Sequence, residues 1–233
     1  MFVVGDVHGC LNTLRKLEKK CQTYASDPLV FVGDLIDRGP FSAQTINWVR
    51  ERGYQVTVGN HELLMVQWFE QGLFNLGDQD SGVESDYWFR NGGDKAVMSY
   101  ESDALFAEHV SWFKTLPWYL HFPKIQNKQG RELFVSHSAI THYSLKHCID
   151  SGDLVWGRAE PLKTNNFFNI FGHTPVRVSD ITDYYAAIDT ASCYGNKLTA
   201  LHFPSMKVIS VDCEDEVLLP NQARPKLRVR PWG

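Results

Sequence analysis

The sequence predicts an α/β fold built on a βαβαβ core, and three observations predict it. Short, fully apolar runs alternate with segments whose apolar residues recur at helical spacing. The first three runs each end in glycine followed by a polar residue: Gly5-Asp6, Gly33-Asp34 and Gly59-Asn60. The runs are apolar throughout instead of alternating, the pattern of strands buried on both faces.

In chain order, residues 2–4 form the first predicted strand, followed by a helix carrying Leu11, Leu14 and Leu17. Residues 29–32 form the second strand, with a helix over about 42–52 that turns Ile46 and Val49 inward. Residues 54–58 form the third, before a helix with Leu63, Leu64, Val66 and Phe69. The rhythm breaks at 72–103, rich in Gly, Asp, Ser and aromatics, which reads as an inserted loop or short-helix segment over the site. Its Tyr87, Trp88 and Phe89 beside Arg90 either shape a substrate groove or form a satellite core. Residues 104–116 read as a helix stopped by Pro117. The second half is β-rich, with strands at 118–122, 133–136, 167–171, 186–189, 198–203 and 207–212. The last two flank Pro204-Ser205-Met206, a hairpin signal. One domain over 1–213 is expected, with 214–233 a loosely packed tail containing Pro220, Pro225 and Pro231.

Composition narrows the function. A net charge of −4 argues against a protein built to grip nucleic acid, which carries a basic surface. The five cysteines, Cys10, Cys21, Cys148, Cys193 and Cys213, are scattered without a C-x-x-C pair, fitting reduced thiols in a cytosolic protein. No basic, apolar, cleavable leader is visible, and no apolar stretch approaches the ~20 residues that cross a bilayer. The expectation is a cytoplasmic protein with no membrane and no nucleic-acid partner.

Chemistry concentrates in five motifs that follow predicted strands. They are Gly5-Asp6-Val7-His8-Gly9, Gly33-Asp34-Leu35-Ile36-Asp37-Arg38-Gly39, Gly59-Asn60-His61-Glu62, Ser136-His137-Ser138 and Phe171-Gly172-His173-Thr174-Pro175. In open α/β folds ligands bind beyond the carboxyl ends of the strands. Any one motif alone reads more simply as a turn, a helix cap with Asn60 as N-cap, or a hydrogen-bonded core histidine. Five together do not. Carboxylates, an amide oxygen and imidazoles in combination suit manganese, iron or zinc better than calcium or magnesium, which prefer all-oxygen shells.

The series Gly-Asp-x-His-Gly, Gly-Asp-x-x-Asp-Arg-Gly and Gly-Asn-His-Glu resembles the phosphoprotein phosphatase family in its compact bacterial form. The resemblance runs over about residues 1–212 and extends to Val155-Trp156-Gly157-Arg158 and Ile188-Asp189-Thr190. It implies a calcineurin-like metallophosphoesterase fold, a β-sandwich flanked by helices. It implies two divalent metal ions, manganese foremost with iron or zinc also suited, the first held by Asp6, His8 and Asp34. Asp34 would bridge to the second, held by Asn60, His137 and His173. A hydroxide bridging the metals would attack phosphorus in phosphoserine or phosphothreonine of a protein or peptide. Arg38 and Arg158 would grip phosphate oxygens, and His61, oriented and kept charged by Asp37, would protonate the leaving alkoxide. Gly157 stands where the family's compact form has asparagine, which bears on the placement of Arg158. His109, His121, His142, His147 and His202 match no motif and are expected in packing or surface roles.

Three other functions stay open. A symmetrical diadenosine tetraphosphate hydrolase would share the metal motifs, but Asp37 and Glu62 match the protein phosphatase version. An inactive metal- or phosphate-binding scaffold would be expected to have lost ligands, and none is missing. A nucleic-acid phosphodiesterase would be expected to carry a basic stripe. Oligomeric state is not legible.

Overall fold

The computed structural model describes residues 1–72 and 87–215. Two mixed five-stranded sheets pack face to face with helices on their outer sides. The first half supplies β1 (Phe2–Val4), α1 (Leu11–Tyr24), β2 (Leu29–Phe31), α2 (Ser42–Glu51), β3 (Gln55–Val56) and α3 (Asn60–Glu70). A π-helical turn, Phe89–Gly93, leads into α4 (Asp94–Met98), followed by α5 (Asp103–Phe113). The second half contains β4 (Tyr119–Gln126), β5 (Glu132–Ser136), α6 (Leu145–Asp150), α7 (Asp153–Trp156), β6 (Phe167–Phe171), β7 (Asp180–Ile181), β8 (Tyr185–Ala187), β9 (Lys197–His202) and β10 (Lys207–Asp212).

The first sheet runs β10-β9-β1-β2-β3, with β1, β2 and β3 parallel. The second runs β4-β5-β6-β8-β7, with β5, β6 and β8 parallel. The pleat explains why these strands are apolar throughout. Phe2, Val4, Leu29 and Phe31 enter the core under the helices, while Val3, Val30 and Val32 point between the sheets. There they meet Leu133, Val135, Phe168, Ile170, Leu201 and Phe203. On the outside of the second sheet, Phe134 packs with Cys148 of α6 and Leu154 of α7.

Several boundaries differ from expectation. The third strand shortens from 54–58 to Gln55–Val56, because the chain turns away where Val58 N–H bonds Pro117 O at 2.9 Å. β4 continues past Pro123 to Gln126; it is an edge strand, where proline is tolerated, and its register shifts after Phe122. The strand expected at 186–189 lies at Tyr185–Ala187. α6, α7 and β7 are additional to the expected elements. In the inserted segment, Trp88 and Phe89 are buried within the main core, while Tyr87 is exposed. Asp215, placed in the tail by sequence, is part of the folded domain: its carboxylate accepts from the N–H groups of Asn12 and Thr13 and caps α1. The rest of the expected tail, and the insertion over 73–86, lie outside the described residues. Among the described residues no helix is long and apolar enough to cross a membrane.

Phe168 is 1% exposed at the centre of the inter-sheet layer. Phe168→Ala is expected to cost about 3–5 kcal/mol of stability, measured as a fall in denaturant midpoint at unchanged m-value.

Candidate functional site

The parallel strands direct six chain segments to one edge of the sandwich. Asp6 and His8 follow β1, Asp34 follows β2, and Asn60 and His61 open α3 after β3. His137 follows β5, His173 follows β6, and Asp189 follows β8.

Backbone bonds lock these segments together. Asp34 C=O accepts from Val7 N–H (3.1 Å) and His8 N–H (2.9 Å), zipping the first loop to the second. Glu62, fully buried, receives the N–H groups of Asp34 (2.9 Å), Leu35 (2.8 Å) and Gly59 (2.9 Å), tying the second loop to the start of α3. The N-cap of α3 is Gly59, not Asn60, and Asp34 Oδ1 receives the N–H of His61 at 3.1 Å. Across the sandwich, His173 N–H donates to the Asp6 carboxylate at 3.1 Å and Gly172 N–H to His137 C=O at 2.8 Å. Two glycines are obligatory for close approach: a Cβ on Gly172 would lie 1.9 Å from Asp6 Oδ1, and one on Gly59 would lie 2.2 Å from Asp34 Oδ1.

Asp34 stands at the centre. Its Oδ2 is 3.5 Å from His8 Nε2, and its Oδ1 is 3.5 Å from His137 Nε2. Two groups of closely spaced donor atoms share it: His8, Asp34 and His61, and Asp6, Asp34 and His137. Beside the second group, Asn60 Oδ1 is 2.9 Å from both His137 Nε2 and His173 Nδ1, which lie 3.2 Å apart. His137 Nδ1 donates to Val32 C=O at 3.0 Å and His8 Nδ1 to Ile36 C=O at 2.8 Å. Both imidazoles therefore turn a bare Nε2 lone pair into the site.

Burial keeps the histidines neutral. It pushes His137 and His173 down to about 3 and His61 down to about 4, and it lowers His8, with the neighbouring Arg38 adding to that shift. Burial also raises the carboxylates: Asp189 up to about 6, Glu62 up to about 8, and Asp6 well above its usual range, with Asp189 and Asp34 adding repulsion. Neutral nitrogen lone pairs, an amide oxygen and mutually repelling carboxylates converge here on a space that attracts positive charge. That donor set fits divalent first-row cations.

The remaining predicted residues divide. His61 Nδ1 lies 2.5 Å from Asp37 Oδ2, which also accepts from Trp88 Nε1–H at 2.8 Å. Burial lowers His61 and raises Asp37, opposing the charged imidazole that Asp37 is expected to favour. The Arg38 guanidinium spans two imidazoles, with Nη1 2.6 Å from His8 Nε2 and Nη2 2.9 Å from His61 Nε2. Arg158 is exposed and bonds Thr174 Oγ1 at 3.3 Å, yet it lies close enough to depress both His137 and His173. It lines a cavity of about 190 Å³ with Pro161, Phe171, Thr174, Val176 and Tyr185.

Sequence reasoning places none of Asp189, Glu62 and Trp88 among the site residues: Asp189 and Glu62 enter only through the family resemblance, and Trp88 only as groove or satellite core. Asp189 had a signal, its position just after a strand like the five motifs, whereas nothing local marks Glu62 as a clamp or Trp88 as a partner of Asp37.

The family model for calcineurin-like phosphoesterases matches residues 1–200. The chain is 30% identical over 212 residues to serine/threonine-protein phosphatase 1 of Salmonella typhimurium (strain LT2), covering 85% of this chain and 89% of that protein. It is 26% identical over 239 residues to the asymmetrical bis(5'-nucleosyl)-tetraphosphatase of Oceanobacillus iheyensis, covering 90% of each. Among solved structures, a chain to which diadenosine tetraphosphatase activity is attributed superposes with TM-score 0.67 at 19% identity, covering 91% of this chain and 92% of that one.

Gly172→Ala is expected to abolish metal retention while leaving far-ultraviolet circular dichroism unchanged, because the added methyl displaces Asp6 and not a strand. Elemental analysis after gel filtration checks it; full retention would refute the packing argument.

Proposed function

The chain belongs to the calcineurin-like phosphoesterase family, and we propose that it is a cytoplasmic phosphomonoesterase acting on phosphoserine and phosphothreonine in proteins or peptides. The single observation carrying this reading is the Asp37–His61 pair, buried and held by Trp88. A serine alkoxide leaves poorly without a proton, whereas the phosphate chain leaving from a dinucleoside tetraphosphate is already acidic. A built proton donor is therefore worth most on an alkyl phosphate.

Asp6, His8 and Asp34 would hold one divalent cation, and Asp34, Asn60, His137 and His173 a second, manganese foremost with iron or zinc also suited. Such a pair supplies charge neutralisation at the phosphate and lowers the pKa of water. Arg38 and Arg158 present planar donors suited to phosphate oxygens. When Arg38 turns from the histidines to the phosphate, His61 Nε2 is released toward the leaving oxygen. Asp37 holds the opposite ring nitrogen, and the proton that His61 gives up is one that Nε2 takes from water once it no longer accepts from Arg38.

A second reading, an asymmetrical dinucleoside tetraphosphatase, is favoured by the relatives of that name and by the cavity beside Arg158, whose Phe171 and Tyr185 could receive a nucleobase. A scaffold without activity fits poorly with a complete donor set.

A panel of phosphoserine peptide, phosphotyrosine peptide and diadenosine tetraphosphate, run with manganese, separates the readings. Preference for the dinucleotide would overturn the protein phosphatase assignment. His61→Asn is expected to slow hydrolysis of alkyl phosphates by roughly 10²–10⁴-fold, and of p-nitrophenyl phosphate much less. Equal losses on both would remove His61 as the proton donor. Asp34→Asn is expected to deplete both metals together, read by elemental analysis.

A further inference from the structure

We propose that Cys213 and Cys10 form an oxidation-sensitive dithiol beneath the site, closing to a disulfide when a hydroperoxide reaches Cys213. All five cysteines are free. Cys10 and Cys213, one just before α1 and the other just past β10, turn their sulfurs together, with both Sγ atoms and a carboxylate oxygen of Asp215 all within 4.8 Å of one another. Asp215 is already engaged, accepting from the N–H groups of Asn12 (3.2 Å) and Thr13 (2.9 Å) and from Thr13 Oγ1–H (2.6 Å). The unspent chemistry of the cluster is therefore its two thiols.

Exposure assigns their order. Cys10 is buried, whereas Cys213 is part-exposed, so an oxidant meets Cys213 first. The donors around it favour a thiolate. Thr13 Oγ1 lies 3.7 Å from the Cys213 sulfur. Hydrogen bonding, from Cys10 first, lowers Cys213 to about 6.

The chemistry balances. The Cys213 thiolate attacks one oxygen of the O–O bond; the S–O bond forms, the O–O bond breaks, and the departing oxygen takes up a proton. The sulfur of Cys10 then attacks the sulfenic sulfur; the S–S bond forms, the S–O bond breaks, and the hydroxyl leaves as water with the proton of Cys10. Two thiols lose two electrons and two protons, and the hydroperoxide is reduced.

The pair is placed to reach the site. Cys10 is the N-cap residue of α1, and it follows directly on the loop bearing Asp6 and His8. Its sulfur lies 3.6 Å from His8 C=O, to which its S–H donates when not turned to Cys213. A disulfide removes that donor and ties the loop to the end of β10, so oxidation lowers activity reversibly. This coupling rests on the reading of the site above; the dithiol does not.

The test treats the full-length protein with hydrogen peroxide, alkylates the remaining thiols and maps the peptides. A Cys10–Cys213 cross-link lost on adding dithiothreitol supports the proposal. Sulfinic acid at Cys213 with Cys10 still alkylatable overturns it, as does a disulfide through Cys21, Cys148 or Cys193. In Cys213→Ser, peroxide should leave Cys10 alkylatable; a protected Cys10 would count against the assigned order. Hydrolysis of p-nitrophenyl phosphate with manganese should fall to a small fraction in oxidised wild type, return with dithiothreitol, and stay unchanged by peroxide in Cys213→Ser. Cross-linked protein with undiminished hydrolysis overturns the coupling. Protein inactive before oxidation sinks the functional reading, while the peptide map still decides the dithiol.

Discussion

Five carboxylates buried at one edge of the sandwich set the terms for the rest of the structure. Asp6, Asp34, Asp37, Glu62 and Asp189 are each no more than 3% exposed. Removing a carboxylate from water is expensive unless donors replace its hydration. The fold supplies those donors almost entirely from the backbone: three N–H groups to Glu62, and one each to Asp6, Asp34 and Asp189 from His173, His61 and Ala191. The loops are thus shaped by the carboxylates they carry. Because backbone N–H groups offset the burial only in part, Asp6, Glu62 and Asp189 remain raised, and bringing a cation among them would relieve their mutual repulsion.

This arrangement has a conformational cost. Among the described residues, the non-glycine positions with positive φ are His8, Asp34, Asp37, Arg38, His173, Ala191 and Met206. The first five are all site residues predicted from the sequence. Left-handed backbone at a non-glycine residue is sparsely populated, and it persists only where the surroundings over-determine it. Here the over-determination is visible: Asp34 C=O holds His8 in place, Gly92 C=O takes the N–H of Arg38, and Ser42 Oγ takes that of Asp37. Strain and rigidity go together, and both put donor atoms at fixed separations before any ligand arrives.

What was legible in the sequence follows from the same physics. Strands buried on both faces are apolar throughout, so β1, β2 and β6 could be read from local composition. Motif residues stand immediately after those strands, so the loops they enter were legible too. Elements decided by distant contacts were not. Proline at 123 locally argues for a strand end, but β4 is an edge strand and tolerates it. α6 and α7 are four to six residues long, too short for periodicity to show, and depend on packing against Phe134. Asp215 caps a helix that begins at the other end of the chain, a contact no local pattern contains. The burial of the Asp37–His61 pair is illegible for a related reason: the sequence shows that Asp37 lies nearby but not how completely the pair is removed from water.

Trp88 joins the segment whose role was undecided to the chemistry. Its ring sits in the main core with Trp68, Phe89 and Phe106, and its Nε1–H reaches Asp37. The next turn brings Gly92, whose carbonyl receives the N–H of Arg38, and a Cβ there would lie 2.8 Å from that arginine's backbone nitrogen. One short stretch therefore braces both members of the Asp37-Arg38 pair, the carboxylate that holds His61 and the guanidinium that spans His8 and His61. The aromatic cluster is core by burial and part of the site by its two polar contacts, so a choice between satellite core and substrate groove was the wrong division. Its task is to hold His61 and Arg38 in register with carboxylates fixed elsewhere by the sheets.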